Sequence, residues 1–219
     1  MSRLHDDGCG VTELAGDVRE AAAFPSEAFA AIVHLAAAIP HRTPVPSAAF
    51  RNVNVEGTRR LREKYPEAHF VLASTADVRR TTLSDYARSK LEAEAVVAGA
   101  ASACIVRLPS VFGPGQRQES KLIPVLLRQH VLGAPPPPFL SDDIREYLWI
   151  GDAVDALAAA LRGRGLVEPR GVSIANHALA RLVAAAAANA APDDLSPEHR
   201  RLFVQLVQCA DALRHGSPR

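Results

Sequence analysis

Tyr86 and Lys90 stand four residues apart in Tyr86-Ala-Arg-Ser-Lys90. On a helix that spacing stacks two side chains on one face, about one turn apart. A free phenol titrates near pH 10 and is a poor base at neutrality. A neighbouring ammonium favours the phenolate, and a lowering of ~3 units corresponds to roughly 4 kcal/mol. Such a phenol exchanges a proton with a substrate hydroxyl or carbonyl. Only three of the 25 basic residues are lysines, so finding one here is informative. Ser74-Thr75 supplies hydroxyls at the end of an apolar run, eleven residues before Tyr86. The strand ends of open α/β sheets are where ligands bind. The competing explanations are a chance pair on a solvated helix face and a strand-end hydroxyl that satisfies a turn.

These residues need a scaffold, and the surrounding pattern describes one. Thr12–Val18, Ala30–Leu35, Phe70–Ala73 and Ala103–Arg107 read as short buried strands. Asn54–Tyr65 and Asp85–Ala98 read as helices between them, with Asp85 as an N-cap. Apolar strands alternating with amphipathic helices predict βαβ units and a parallel sheet. After Gly113-Pro-Gly115 the texture changes. Leu122–Val131 reads as a helix and Pro135–Pro138 as a stiff spacer. Tyr147–Ile150 reads as a strand entering the helix Asp152–Leu161, with a strand at Gly171–Ala175 and helices at Leu179–Ala190 and Leu202–Leu213.

Composition narrows the class. With 48% apolar and 22% charged residues, the chain has the make-up of a folded domain. Its net charge of +1 argues against a nucleic-acid or membrane-surface partner. Cys9, Cys104 and Cys209 form no CxxC pair, which argues against a zinc site and for a reducing, cytoplasmic setting. No metal is expected. The apolar stretch 28–39 is too short to span a bilayer, which takes about 20 residues.

Taken together, the motifs resemble the NAD-dependent epimerase/dehydratase family, the extended branch of the short-chain dehydrogenases/reductases. Gly16-Asp17-Val18 is similar to the family's post-strand acidic motif, and Val33-His-Leu-Ala-Ala37 to its H-x-A-A strand end. Asn54-Val-Glu-Gly-Thr58 resembles its N-x-x-G-T helix start, and Phe70–Thr75 the strand ending in the catalytic Ser/Thr. Tyr86-x-x-x-Lys90 matches the active-site pair, and Arg107–Gly115 resembles the strand and turn that open the substrate lobe. Arg145–Asp152 resembles the R-D-[FY]-x-x-V-x-D element. The likeness spans residues 11–175.

The resemblance implies a mechanism and a set of sites. Tyr86 would be the general acid/base, Lys90 would lower its pKa and hold the nicotinamide ribose, and Thr75 would orient the substrate oxygen. Hydride would pass between a sugar carbon and NAD or NADP. The cofactor would be bound by Asp17, Val18, Leu35, Ala36, Ala37, Asn54, Ser74, Tyr86, Lys90 and Pro109. The substrate, a nucleotide sugar, would meet Thr75, Ser110 and Arg145. A guanidinium also suits phosphate on its own chemistry.

The pattern also departs from the family. The family opens with a Gly-rich phosphate turn. Neither Gly8-Cys-Gly10 nor Gly163-Arg-Gly165 has the third glycine such a turn requires. By the resemblance, that opening falls ahead of Met1. The expectation is therefore a doubly wound parallel, Rossmann-like α/β fold lacking its first βαβ unit, with a small C-terminal substrate subdomain. The cofactor domain is expected over 1–112 and the substrate part over 113–219, with 146–175 returning to the core. Exposed sheet edges would invite association, including a homodimer. Two alternatives to an active enzyme stay open at this point. One is an inactive truncated family fragment, and the other is a non-enzymatic binding or regulatory paralogue.

Overall fold

The structure, a computed structural model, describes residues 8–14, 16–40, 43–100, 102–116, 121–137 and 140–215. Ala15 and Pro138, which fall within expected elements, lie outside them. The chain divides into two compact units, Met1–Leu108 with Asp152–Pro169, and Pro109–Gly151 with Arg170–Arg219. The division falls at 108/109, four residues before the expected boundary, and the segment that rejoins the first unit is 152–169.

The first unit is built on four parallel strands. They are β1 (Ala31–His34), β2 (His69–Thr75), β3 (Ala103–Leu108) and, after the second unit's strands, β6 (Gly165–Val167). Their order is β1-β2-β3-β6, with Val71 level with Val33 on one side and Cys104 on the other. Helix α1 (47–64) connects β1 to β2, and α2 (Asp85–Ala98) connects β2 to β3. Side chains alternate across a strand. Phe70 and Leu72 therefore pack with Leu61, Tyr65, Ala93 and Val97, while Val71 packs on the other face with Cys104, Val106 and Ala160. Burial on both faces is why Phe70–Leu72 is apolar without a break. The three are fully buried.

Helix α1 is not regular. Arg51–Glu56 is a π-helical turn between the α-helical stretches Ser47–Phe50 and Gly57–Lys64. Such turns occur mostly singly within α-helices and often at functional sites. Gly57 follows it because a Cβ there would lie 2.7 Å from Val18 Cγ2.

Two expectations in this unit change. The described part of Thr12–Val18 contains no strand. The backbone instead turns at Asp17, whose Oδ1 accepts from Arg19 N and whose carbonyl accepts from Glu20 N. An Asp side chain bonded two residues on offers the chain a turn in place of a ladder. The cap of α2 is Ser84, not Asp85, since Ser84 Oγ accepts from Ala87 N. Strand β6 has three residues, too few to show a period in the sequence.

The second unit contains β4 (Ser110–Phe112), α3 (Leu122–Leu132), β5 (Ile144–Trp149), β7 (Val172–Ala175), α5 (Asn176–Ala187) and α6 (Pro197–Arg214). Helix α4 (Ile150–Ala160) leaves this unit and enters the first. Strand β5 is central in its sheet, parallel to β4 and antiparallel to β7. Gly133 closes α3 with a left-handed φ of 68°, a conformation a side chain would strain. The core is formed by Phe112, Tyr147, Leu182, Leu202, Leu206 and their neighbours. Helix α6 therefore docks on this core, which settles where 202–213 belongs. Ser196 caps it by accepting from His199 N. Among the described residues no helix is long and apolar enough to cross a membrane.

Leu206 is fully buried, whereas Val204, two residues earlier, is 52% exposed. Leu206→Ala is expected to cost about 2–5 kcal/mol through the cavity it leaves. Val204→Ala should stay within about 0.5 kcal/mol. Urea unfolding of the two variants checks the docking of α6.

Candidate active site

Strand β2 ends in the site and α2 lies over it. Lys90 is 3% exposed on the inner face of α2. Its ammonium has no hydrogen-bond or ion-pair partner within bonding distance among the described residues. Burial pushes Lys90 down to about 8, and the Glu94 carboxylate one turn on pulls in the opposite direction. Tyr86, half-buried one turn before it, packs edge-on against Phe50 with ring centroids 6.0 Å apart. Its hydroxyl has no hydrogen bond among the described residues.

The titration of Tyr86 departs from expectation. Burial first, and the Asp77 carboxylate second, push it up to about 12. The phenol is therefore protonated at neutral pH and is a proton donor. Lys90 is close enough to depress His34, but its charge does not outweigh desolvation at Tyr86.

Thr75 lies at the last position of β2 and is 9% exposed. Its Oγ1 accepts from Asp77 N at 3.2 Å, capping the 3₁₀ turn Ala76–Arg79, and the O–H is left to donate. The short link between Thr75 and Tyr86 thus holds a turn that carries Asp77. Ser74, an expected cofactor contact, donates inward to Glu94 Oε1 at 2.5 Å.

Asn54, another expected cofactor contact, is committed to the protein. From the π-helical turn its Oδ1 accepts from Ala38 N at 2.7 Å, and its Nδ2 donates to Ala38 O and to Ser89 Oγ. Ser89 Oγ in turn donates to Tyr86 O. One amide therefore pins the loop after β1 to the helix that bears Tyr86. That loop presents Leu35 and Ala36 exposed and Ala37 half-exposed at the carboxyl end of the sheet. His34, at the end of β1, is 3% exposed and bonds Thr58 Oγ1 through Nε2 at 3.0 Å. Thr58 already donates to Asn54 O, so the imidazole nitrogen must donate. Burial, then Lys90, push His34 down to about 3, so it is neutral.

Asp17 is engaged by Arg19, with bonds to both of its oxygens, and these hold it down at about 2. Val18 is buried against Gly57. Pro109 and Ser110 begin the second unit, half-exposed. Arg145 is exposed on β5 of that unit, with Asp143 Oδ2 3.6 Å away. Glu94 was not singled out by any motif. It is 5% exposed and bonds Arg107 through both oxygens, at 3.0 and 2.7 Å. Its signal in the sequence is an acid four residues after Lys90, on a helix face it shares with Ala87, Ala93 and Val97.

The model of the NAD dependent epimerase/dehydratase family matches residues 12–175. The chain belongs to this family. Among curated proteins, the ceramide reductase of Caulobacter vibrioides is 37% identical over 142 residues, which are 62% of this chain and 42% of the relative. The chain thus matches less than half the length of that relative. Among solved structures, the complex of MoeE5 with UDP-glucuronic acid and NAD superposes with a TM-score of 0.78 at 19% identity, covering 98% of this chain and 94% of that one. The Bordetella bronchiseptica enzyme WbmG with NAD gives 0.73 at 22%, covering 92% and 78%. RMD from Pseudomonas aeruginosa with NADPH gives 0.70 at 20%, covering 94% and 89%. These likenesses show a common Rossmann-like fold.

Partial desolvation of a charged lysine weakens the fold. The lowering of Lys90 from 10.5 to about 8 corresponds to roughly 2–4 kcal/mol. Lys90→Met should therefore stabilise the protein at pH 7 by an amount of that order. Because the folded value is the lower one, the unfolded chain binds more protons between about 8 and 10.5. Wild-type stability should gain from this group as pH rises through that window, and the variant should lack the gain. Denaturant unfolding between pH 7 and 10.5 measures both.

Proposed function

We propose that the protein is an NAD(P)-dependent oxidoreductase or isomerase of the epimerase/dehydratase type, acting at a hydroxyl or carbonyl carbon of a nucleotide sugar. The observation that carries the reading is the pairing of Tyr86 and Lys90 on the inner face of α2, beside Thr75 at the end of β2. The residues fit a dinucleotide's ribose end. Lys90 offers unshared N–H donors in a desolvated place, where a ribose hydroxyl would satisfy them. Small residues at 36 and 37 leave the strand ends open. The described residues do not include a Gly-rich turn for the pyrophosphate. A bound nicotinamide supplies or accepts the hydride.

The chain's own residues handle the proton and the geometry. Thr75 donates its O–H to the substrate oxygen. Tyr86, protonated at neutral pH, gives its proton to the oxygen that gains charge on reduction, and takes one back from a hydroxyl on oxidation. Lys90 steadies the phenolate left behind. Asn54 and Ser89 keep the Tyr86 turn in place. Arg145 would meet a diphosphate as a forked donor.

The ceramide reductase relative favours a second reading, reduction of a carbonyl on a long-chain lipid. Its 37% identity exceeds that of the nucleotide-sugar proteins, and a protonated phenol suits reduction. We place the enzyme in the cytoplasm, with a homodimer as the assembly to be checked by sedimentation.

The test is NAD(P)H absorbance with UDP- and dTDP-sugars in one series and oxidised ceramide in the other. Turnover in one series decides the substrate class. Tyr86→Phe should lower kcat by about 10²–10⁴-fold while cofactor affinity, by calorimetry, stays near wild type. Undiminished kcat in that variant would overturn the mechanism.

A further inference from the structure

Glu94 lies one turn beyond Lys90 on the same buried face of α2. Its Oε1 accepts from Ser74 Oγ and from Arg107 Nε, and its Oε2 from Arg107 Nη2. Arg107 is itself anchored by Glu168 at 3.3 Å, and Glu168 is held by Arg79 at 3.2 Å. The carboxylate is thus fixed from β2 and β3 and reaches Lys90 only through space.

We propose that Glu94 is a positioning residue for the Tyr86–Lys90 pair, a carboxylate clamped by Ser74 and Arg107 so that it keeps Lys90 protonated without drawing its N–H donors away from the site. This rests on the assignment of Tyr86 and Lys90 to the active site and names what holds their charge. Two features support it. First, both Glu94 oxygens are occupied by β-strand donors, so the ammonium is not pulled along the helix into a salt bridge. Second, among the described residues the other neighbouring titratable groups supply Lys90 no opposite charge. His34 from β1 is neutral, Tyr86 from α2 is neutral, and Arg107 from β3 is a like charge paired with Glu94. Asp77, on the 3₁₀ turn, acts on Tyr86. Burial lowers Lys90, and Glu94 is the group that raises it. A buried amine without such a partner loses its proton near neutrality.

The scarcity of lysine makes the test direct. With lysine labelled at the side chain, the protein yields three NMR signals, from Lys64, Lys90 and Lys121, and Lys90→Met identifies one of them. Glu94→Gln, which keeps an acceptor for Ser74 and Arg107, is expected to lower the Lys90 midpoint by about one unit or more, a roughly tenfold loss of proton affinity. Glu92→Gln, an exposed acid two residues away paired with Arg51, should leave it in place. If Glu94→Gln does not fold, Glu94→Asp keeps the charge but withdraws it by one methylene, and a smaller fall is expected. An unchanged midpoint in whichever variant folds overturns the proposal. The measurement needs no turnover, so it stands even if no substrate is found. Where turnover is found, the basic limb of the kcat/KM profile should move with the midpoint.

Discussion

The first unit is organised around a lysine that is almost wholly withdrawn from water, at 3% exposure. Removing a charge from solvent is costly unless its surroundings compensate. Lys90 has partial compensation in Glu94 and no hydrogen bond. Its neighbours are disposed accordingly. His34 is neutral, Arg107 is turned onto Glu94, and the strands beside α2 hold hydroxyls and small side chains. A site that tolerates such a group has exchanged stability for an unshared donor, which is what binding a polar ligand requires.

A second constraint is mechanical. The Ala38 loop, the π-helical turn and α2 come from three separate segments, and Asn54 joins them through bonds to both. A regular α-helix over 51–56 would advance every later side chain by a different angle. The widened turn coincides with the position where Asn54 faces the loop and Ser89 at once. Thr58, four residues on, uses the Asn54 carbonyl and the His34 ring together. The backbone irregularity and the polar network are therefore one feature. The network's interior groups are satisfied, so it specifies geometry without leaving buried polar groups unpaired.

What the sequence disclosed follows from which forces act locally. Fully buried strands such as Phe70–Leu72 announce themselves as unbroken apolar runs, and α2 as a capped amphipathic segment. The Tyr86–Lys90 spacing is readable because helix geometry fixes which side chains are neighbours. The rest depends on contacts that a local pattern does not report. Thr12–Val18 reads as a strand, yet a side-chain turn at Asp17 takes the backbone there. The intramolecular partners of Asn54 and Ser74, Ala38 and Glu94, lie 16 and 20 residues away. The protonation of Tyr86 depends on burial and on Asp77, and a spacing of four residues reports neither.

The two acids near the pair play the same part. Asp77, itself paired with Arg80, adds to burial in raising Tyr86, and Glu94 raises Lys90 against burial. Tyr86 and Lys90 are thus both in their protonated forms at neutral pH. In a phenol–ammonium pair this is the proton-donating state. Burial is the larger cause at Tyr86 and Asp77 the smaller, so a change of solvent access at the phenol would shift its proton affinity more than a change at Asp77.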